Sequence, residues 1–287
     1  MLKPTADLFQ IDTKIPRAVS LRKKISKACS DFSLLESGDR VLVAVSGGKD
    51  STTLLMLLKD VQAIAPFDFE FEAVLLDQKQ PGFSATEFQN FVESHGIRLH
   101  IVERDTYSIV KEKIQGGTYC SLCSRLRRAI LYDFAFERDF NKLALGHHAD
   151  DAMETLFLNL FYGSKLSAMP PKLRSDDGRM QVIRPLCYVR ESEILELKKE
   201  WKYPVIPCNL CGSQEGLKRK VIKSWIKDWE TKVPGLASSV LNSLQSVRPS
   251  QLWDQGLWNF QTFESLLPVT DAGALSGQLE SQSQPPA

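Results

Sequence analysis

Residues 41–51, VLVAVSGGKDS, constrain the fold more than any other stretch of this chain. An apolar, β-prone run too short for a typical helix meets two adjacent glycines, and a helical pattern starts at Thr52. A strand, a glycine turn and a helix N-terminus together hold anions. Glycine lacks Cβ, so its backbone can take positive φ and approach a ligand closely. The first N–H groups of a helix have no partner inside it, and the helix dipole favours negative charge there. Ser46, Ser51 and Thr52 add hydroxyls, and Lys49 adds a point charge. An ordinary strand–turn–helix junction shares the Gly-Gly turn but leaves the hydroxyls and the lysine without a purpose. The loop is not a Walker A, because Gly47 and Gly48 are adjacent and Asp50 separates Lys49 from Ser51.

With 287 residues, the chain can hold one large or two small domains. A net charge of +1 means that any RNA site is a local patch rather than the whole surface. No apolar run reaches the roughly 18 residues of a membrane span. The first residues, MLKPTADLFQ, do not read as a secretory signal, so a cytoplasmic location is expected. Six cysteines without such a signal point to a reducing compartment, and to metal or catalytic roles ahead of disulfides.

In chain order, residues 1–18 carry Pro4 and Pro16 and read as a loose arm, and residues 21–32 as a helix. Strands are expected at 41–45, 71–76, 99–103, 143–147 and 181–186. Helices are expected at 52–64, 84–94, 124–136, 150–162 and 191–201. This alternation predicts an α/β fold: an open, mostly parallel five-stranded sheet with helices on both faces. Right-handed crossovers put the strand C-termini on one edge, where such sheets bind ligands. The SGGKDS loop, Asp77 and His147 all fall there. Beyond residue 218 the pattern is helical, at 218–232 and 238–247, and Trp253, Leu257, Trp258 and Phe260 are expected to pack back on the body. Residues 270–287 are poor in large apolar side chains and read as disordered. The expected divisions are an N-terminal arm and helix (1–38), a nucleotide-binding domain (39–205), a C-terminal helical region (206–265) and a tail (266–287).

Two further constellations carry chemistry. LGHHADDAMET, residues 145–155, places Asp150 and Asp151 at a helix start, where carboxylates cap free N–H groups. A plain N-cap explains them equally well at this level. His147 can hydrogen-bond phosphate, and Glu154 reads as a surface residue. Cys120 and Cys123 form one CxxC pair, and Cys208 and Cys211 another. Two residues between thiolates let both reach one metal. Four thiolates would make a structural zinc site. Cys29 and Cys187 lack such partners and read as small buried hydrophobes.

SGGKDS resembles the pyrophosphate-binding loop of the PP-loop ATP pyrophosphatases, and GHH-x-DD-x-x-ET resembles the second motif of that superfamily. CSLCSRLRR (120–128), IPCNLCGSQ (206–214), LDQKQPGF (76–83), MPPKLRSDDG (169–178) and IRPL (183–186) narrow the likeness. Together they resemble the TtcA-type tRNA 2-thiocytidine synthetases, or tRNA-cytidine(32) 2-sulfurtransferases. The resemblance covers roughly residues 20–250. It implies that Ser46, Gly47, Gly48, Lys49, Asp50 and Ser51 bind ATP, with Asp77 on its ribose or adenine side. Asp50 would hold Mg²⁺, and His147, Asp150 and Asp151 would serve the reaction. It implies a [4Fe–4S] cluster on three cysteines: Cys120, Cys123 and one of the second pair. Cys211 is chosen on resemblance alone, since no spacing separates it from Cys208. An iron left open would bind hydrosulfide. AMP transfer from ATP onto the C2 oxygen of cytidine 32, in a tRNA anticodon loop, would make that oxygen a leaving group for sulfide.

Arg125, Arg127 and Arg128 are expected to face phosphate or cluster sulfides, and Lys218, Arg219, Lys220 and Lys223 to extend the patch, although both groups also suit a solvated helix face. The implied partners are tRNA, ATP and a cysteine-desulfurase-type sulfur donor, with no membrane, and a homodimer is compatible. Two other readings stand beside this one. A non-catalytic Cys₄ zinc RNA-binding protein explains the cysteines but leaves both nucleotide motifs unused. Another PP-loop ligase, amidating or lysidine-forming, leaves the cysteines unused.

Overall fold

The computed structural model describes residue 9 and residues 11–80, 83–108, 119–175, 177–206 and 214–267, the side chains of 119–123 and 214–216 excepted. The chain up to Ala237 forms one compact unit and the chain from Ser238 a second. In the first unit, strands β1 (Arg40–Val45), β2 (Glu70–Asp77), β3 (Leu99–Glu103), β4 (Lys142–Leu145), β5 (Lys172–Arg174) and β6 (Gln181–Ile183) form one sheet in the order β3-β2-β1-β4-β6-β5. Five strands run parallel, and only β5 is antiparallel, against β6. The five parallel strands are those read from the sequence. β5 is an addition: three residues behind Pro170 and Pro171 are too short to show a period of two.

The sheet is covered on both faces, which the period of two along each strand makes visible. Val41, Val43 and Val45 of β1, with Ala73 and Leu75 of β2, pack under helices α1 (Pro16–Asp31), α2 (Lys49–Gln62), α3 (Thr86–Ser94) and α6 (Glu191–Glu200). Leu42, Val74 and Leu76 point the other way, against Leu131 and Ala135 of α4 (Tyr119–Glu137). Helix α2 is almost wholly inside: Leu54, Leu55, Met56, Leu57, Leu58 and Val61 are all buried, because it packs against β1, α1 and α6. Helices α5 (Ala149–Tyr162) and α7 (Gln214–Lys232) pack against each other.

Helix α1 starts earlier than expected. Pro16 opens it at the first helical position, where no intrahelical N–H is needed. Ala18, Leu21, Ile25, Ala28 and Cys29 form its buried stripe. In the second unit, Trp258–Asn259 and Glu264–Ser265 pair as a short antiparallel ribbon, β7 and β8. Trp253 does not pack back: it is 95% exposed, just ahead of a turn in which Asp254 accepts the Gly256 N–H. Helix α8, Leu236–Ser243, is shorter than expected.

The edge of the sheet away from the strand C-termini holds a buried cation. Lys142 opens β4 at 1% exposure, with Nζ 2.7 Å from Asp39 and 2.9 Å from Glu36. Asn141 and the Glu36 N–H also donate to Asp39, which is itself buried. A buried pair broken on one side leaves an uncompensated charge. Lys142→Met is therefore expected to destabilise folding by about 3 kcal/mol in urea unfolding at neutral pH. A loss under about 1 kcal/mol would mean that the amide donors alone satisfy Asp39.

Candidate active site

The parallel order reverses direction at β1, whose neighbours are β2 on one side and β4 on the other. The loops leaving β1 and β4 therefore face each other at the switch point, where open α/β sheets bind ligands. Between β1 and α2, Gly47 takes φ +73°, and a Cβ there would lie 2.6 Å from the Ile206 side chain. The Gly47 carbonyl accepts the Ile206 N–H at 3.0 Å. The Ser51 hydroxyl accepts the Ser46 N–H at 3.1 Å and sits 3.3 Å from the Ser46 hydroxyl. Ser46 Oγ accepts the Gly48 N–H at 3.3 Å, and Thr52 Oγ1 donates to the Gly48 carbonyl at 2.9 Å. The hydroxyls thus shape the loop, and the first N–H groups of α2, like those of any helix, need partners from outside it.

Gly146, just after β4, brings the second motif against this loop. A Cβ on Gly146 would sit 2.8 Å from both the N and the Cα of Ser51, which only glycine allows. His148 then caps α5, and its N–H donates to Asp151 at 2.9 Å. The His148 ring is buried, with Nε2 3.8 Å from Asp50 and Nδ1 3.4 Å from Asp151. Nδ1 has no hydrogen-bond partner among the described residues. His147 turns aside: Arg184 Nε donates to its Nδ1 at 3.4 Å. Burial, against the pull of Asp151 and with the help of Arg184 and Arg219, brings His147 down to about 4, so its ring is neutral at pH 7.

A charge lattice fills the site. Lys49 Nζ lies 2.9 and 3.0 Å from the two Asp50 oxygens and 3.0 Å from Glu191. Burial opposes the Lys49 charge, but the bonds to Asp50 and Glu191 outweigh it and raise its pKa. Glu191 also pairs with Lys223. Burial works against its ionised form, yet Lys223 and Lys49 hold its carboxyl at about 2. Asp150 is bound on both oxygens, by Arg190 Nε at 3.0 Å and by the Glu191 N–H at 2.6 Å, so it caps α6. Arg190 continues to Glu230 of α7 at 2.8 and 3.1 Å. Asp77 ends β2 on the same edge of the sheet, with its carboxylate taken by the backbone N–H and Nζ of Lys79 at 2.7 and 3.3 Å.

The loop, Asp50, Asp150 and Asp151 lie together at the ends of β1 and β4. His148, rather than the His147 expected from the sequence, faces Asp50 and Asp151. Glu191, Arg190 and Gly146 join the site without having been singled out. Glu154 is not a surface residue: it is 5% exposed, with Arg219 3.6 Å away. Arg219 also lies 3.5 Å from Asp151, so Arg219 and Lys223 turn to carboxylates rather than extending an outer basic patch. Arg125 and Arg128 are exposed on α4, and Arg127 is half-buried.

The backbone of Cys120 and Cys123 lies in the first turn of α4, three residues apart and so on one helix face. Cys208 and Cys211 lie outside the described residues. Ile206, bonded to Gly47, is the last described residue before that pair, and α7 follows it. Burial pushes the thiols of Cys29 and Cys187 up to about 12, which leaves them protonated and unsuited to bind metal.

A family model described as a PP-loop domain matches residues 18–210. The tRNA-cytidine(32) 2-sulfurtransferase of Bdellovibrio bacteriovorus is 56% identical over 255 residues, covering 89% of this chain and 98% of that protein. This chain belongs to the tRNA-cytidine(32) 2-sulfurtransferase family. The relative of that name from Alcanivorax borkumensis is 53% identical, covering 85% of this chain and 86% of that protein. Among solved structures, the U34-tRNA thiolase NcsA of Methanococcus maripaludis, with its [4Fe–4S] cluster, shares the fold at a TM-score of 0.65. It is 22% identical and covers 92% of this chain and 88% of its own. Among the described residues, no helix is long and apolar enough to cross a membrane.

Two tests follow from this geometry. Gly146→Ala must drive the second motif off the backbone of Ser51, so ATP binding is expected to fall at least tenfold by calorimetry while the fold survives in circular dichroism; unchanged affinity would mean that the two loops separate at little cost. Burial raises Glu154 from 4.5 to about 7, against the pull of Arg219 and with that of Asp151. Its contribution to stability is full below pH 4.5 and lost as pH rises through about 7. Glu154→Gln should therefore gain a few degrees in melting temperature at pH 8 relative to pH 4.5. An equal effect at both values would leave Glu154 with an ordinary pKa.

Proposed function

We propose that this protein is an ATP-dependent tRNA-cytidine 2-sulfurtransferase that replaces the C2 oxygen of cytidine 32 in an anticodon loop with sulfur. One observation carries the reading: the anion-binding helix end, the second motif and the residue that leads into the second cysteine pair all meet at Gly47, Gly146 and Ile206. On this reading nucleotide and cysteines would serve one cavity, which would suit activation of a base followed by sulfur delivery to it.

The N–H groups at the start of α2 would take the β,γ-phosphates of ATP, and Lys49 would exchange part of its bonding to Asp50 and Glu191 for phosphate oxygen. Asp50, once released from Lys49, would hold Mg²⁺, whose charge eases departure of pyrophosphate. His148, between Asp50 and Asp151, would keep both carboxylates oriented, and neutral His147 would accept or donate one hydrogen bond without adding charge. AMP passes to the C2 oxygen, pyrophosphate leaves, sulfide adds at C2, and the C2–O bond breaks with AMP as leaving group. Two cysteines three residues apart at a helix start suit a cluster, because the helix puts both backbone positions on one face and its N-terminus favours negative charge. Cys120, Cys123 and Cys211 would hold a [4Fe–4S] cluster, which supplies the sulfur-carrying chemistry. A target base must leave the stack to be reached, so a single-stranded anticodon loop is the fitting substrate, met in the cytoplasm.

Nucleoside analysis of tRNA from cells lacking the protein should show loss of 2-thiocytidine; its persistence would end this reading. In purified protein, Asp50→Ala should retain iron but release pyrophosphate at least 100-fold more slowly. Cys120→Ala, Cys123→Ala and Cys211→Ala should each lose iron after anaerobic purification, and Cys208→Ala should lose less. Full iron in Cys211→Ala would move the third ligand to Cys208, and zinc in place of iron would favour the RNA-binding alternative.

A further inference from the structure

Outside the site, an apolar strip crosses α5 and α7 inside the first unit. Phe161 and Tyr162 end α5 at 47% exposure each, and Leu217, Val221 and Trp225 of α7 stand 60%, 41% and 40% exposed. The three α7 residues are spaced by four, so they share one helix face. Rings here are held by rings. Phe161 lies 5.9 Å from Trp225 and stacks 5.8 Å from Phe157, and Trp229 lies 6.2 Å from Trp225. An ordinary surface helix exposes its charges, whereas here fixed aromatic faces meet solvent.

Cations border the strip: Arg219 and Lys223 are committed to carboxylates of the site, which leaves Lys218, Lys220 and Lys227 on this part of α7, with Asp228 one turn beyond Trp225. Lys218 Nζ lies 4.8 Å over the Tyr162 ring, while Lys220 and Lys227 are exposed. Lysine is depleted from the core of protein–protein interfaces, but cations interleaved with aromatic faces are what single-stranded nucleic acid uses: phosphates on lysines and bases on rings. The same helix sends Arg219 to Asp151 and Glu154, and Lys223 to Glu191, from its opposite side, two residues on from Leu217 and Val221, so α7 carries the strip on one side and ties to the nucleotide site on the other.

We propose that this face of α5 and α7 binds single-stranded RNA, stacking unpaired bases on Tyr162 and Trp225, with Lys218 and Lys220 on the adjoining phosphates. The proposal rests on the tRNA-thiolation reading and deepens it by assigning the surface that receives the substrate loop.

The test uses the full-length, anaerobically purified protein and an unmodified anticodon stem–loop RNA, with affinity read by fluorescence anisotropy. Tyr162→Ala and Trp225→Ala should each weaken binding roughly tenfold, with ATP affinity unchanged as a check on folding. Trp225→Phe should retain most affinity, because a face rather than a particular side chain is needed. Lys218→Ala with Lys220→Ala should lower the salt slope of binding by about 1 to 2. RNA affinity unchanged in both aromatic variants overturns the proposal. So does dissociation of a dimer in ultracentrifugation as the only effect of Trp225→Ala, which would give the strip to a second copy of the chain. If the wild type binds RNA through this face yet leaves cytidine unthiolated, the face stands and the thiolation reading falls.

Discussion

The site depends on a near-collision of two backbones. β1 and β4 lie side by side and parallel, so the turns at their C-terminal ends compete for the same volume. They fit because Gly146 presents no side chain to Ser51 and because Gly47 takes a positive φ beneath Ile206. Packed interiors do not yield by the fraction of an ångström that a methyl group would need. Two glycines therefore fix the distance between the start of α2 and the carboxylates that follow β4. A fold with these strands further apart would retain each motif and lose their joint use.

The second constraint is electrostatic. Around Lys49 the protein places Asp50 and Glu191, with Lys223 beyond Glu191. Partly buried charges at about 3 Å interact far more strongly than exposed ones, so the arrangement is rigid as it stands. Under the proposed function it would also be exchangeable: a polyphosphate would bring negative charge to the same ammonium and free a carboxylate for a metal ion. Asp150, bound by Arg190 and by the first N–H of α6, ties α5 to the helix that carries Glu191.

How much of this was legible follows from the range of each interaction. The strand–loop–helix unit was legible because its signals are local: an apolar run, two glycines and a helical period. Whatever depends on a partner distant in sequence was not. Lys142 looks like a solvated lysine until β4 is set beside the Asp39 turn. Glu154 looks exposed until α7 covers it with Arg219. His147 and His148 cannot be ranked by spacing, because the difference lies in which ring the α5 cap turns toward Asp50. Pro16 reads as a breaker in isolation and becomes a helix start once Leu21 and Ile25 have a core to enter. β5 owes its existence to the hairpin around Ser175, whose N–H bonds the Met180 carbonyl at 2.8 Å.

These bonds also connect the helices that carry the charges. Arg190 joins Asp150 of α5 to Glu230 of α7, and Arg219 ties the start of α7 back to Asp151 and Glu154. Helix α7 is therefore pinned to the nucleotide site at two points about three turns apart, counting 3.6 residues per turn. A helix so held cannot shift at one end without straining the ion pairs at the other. If the outer face of α7 takes RNA and the start of α2 takes phosphate, as proposed, the two events would bear on the same few ion pairs: Glu191 through Lys223 and Asp150 through Arg190.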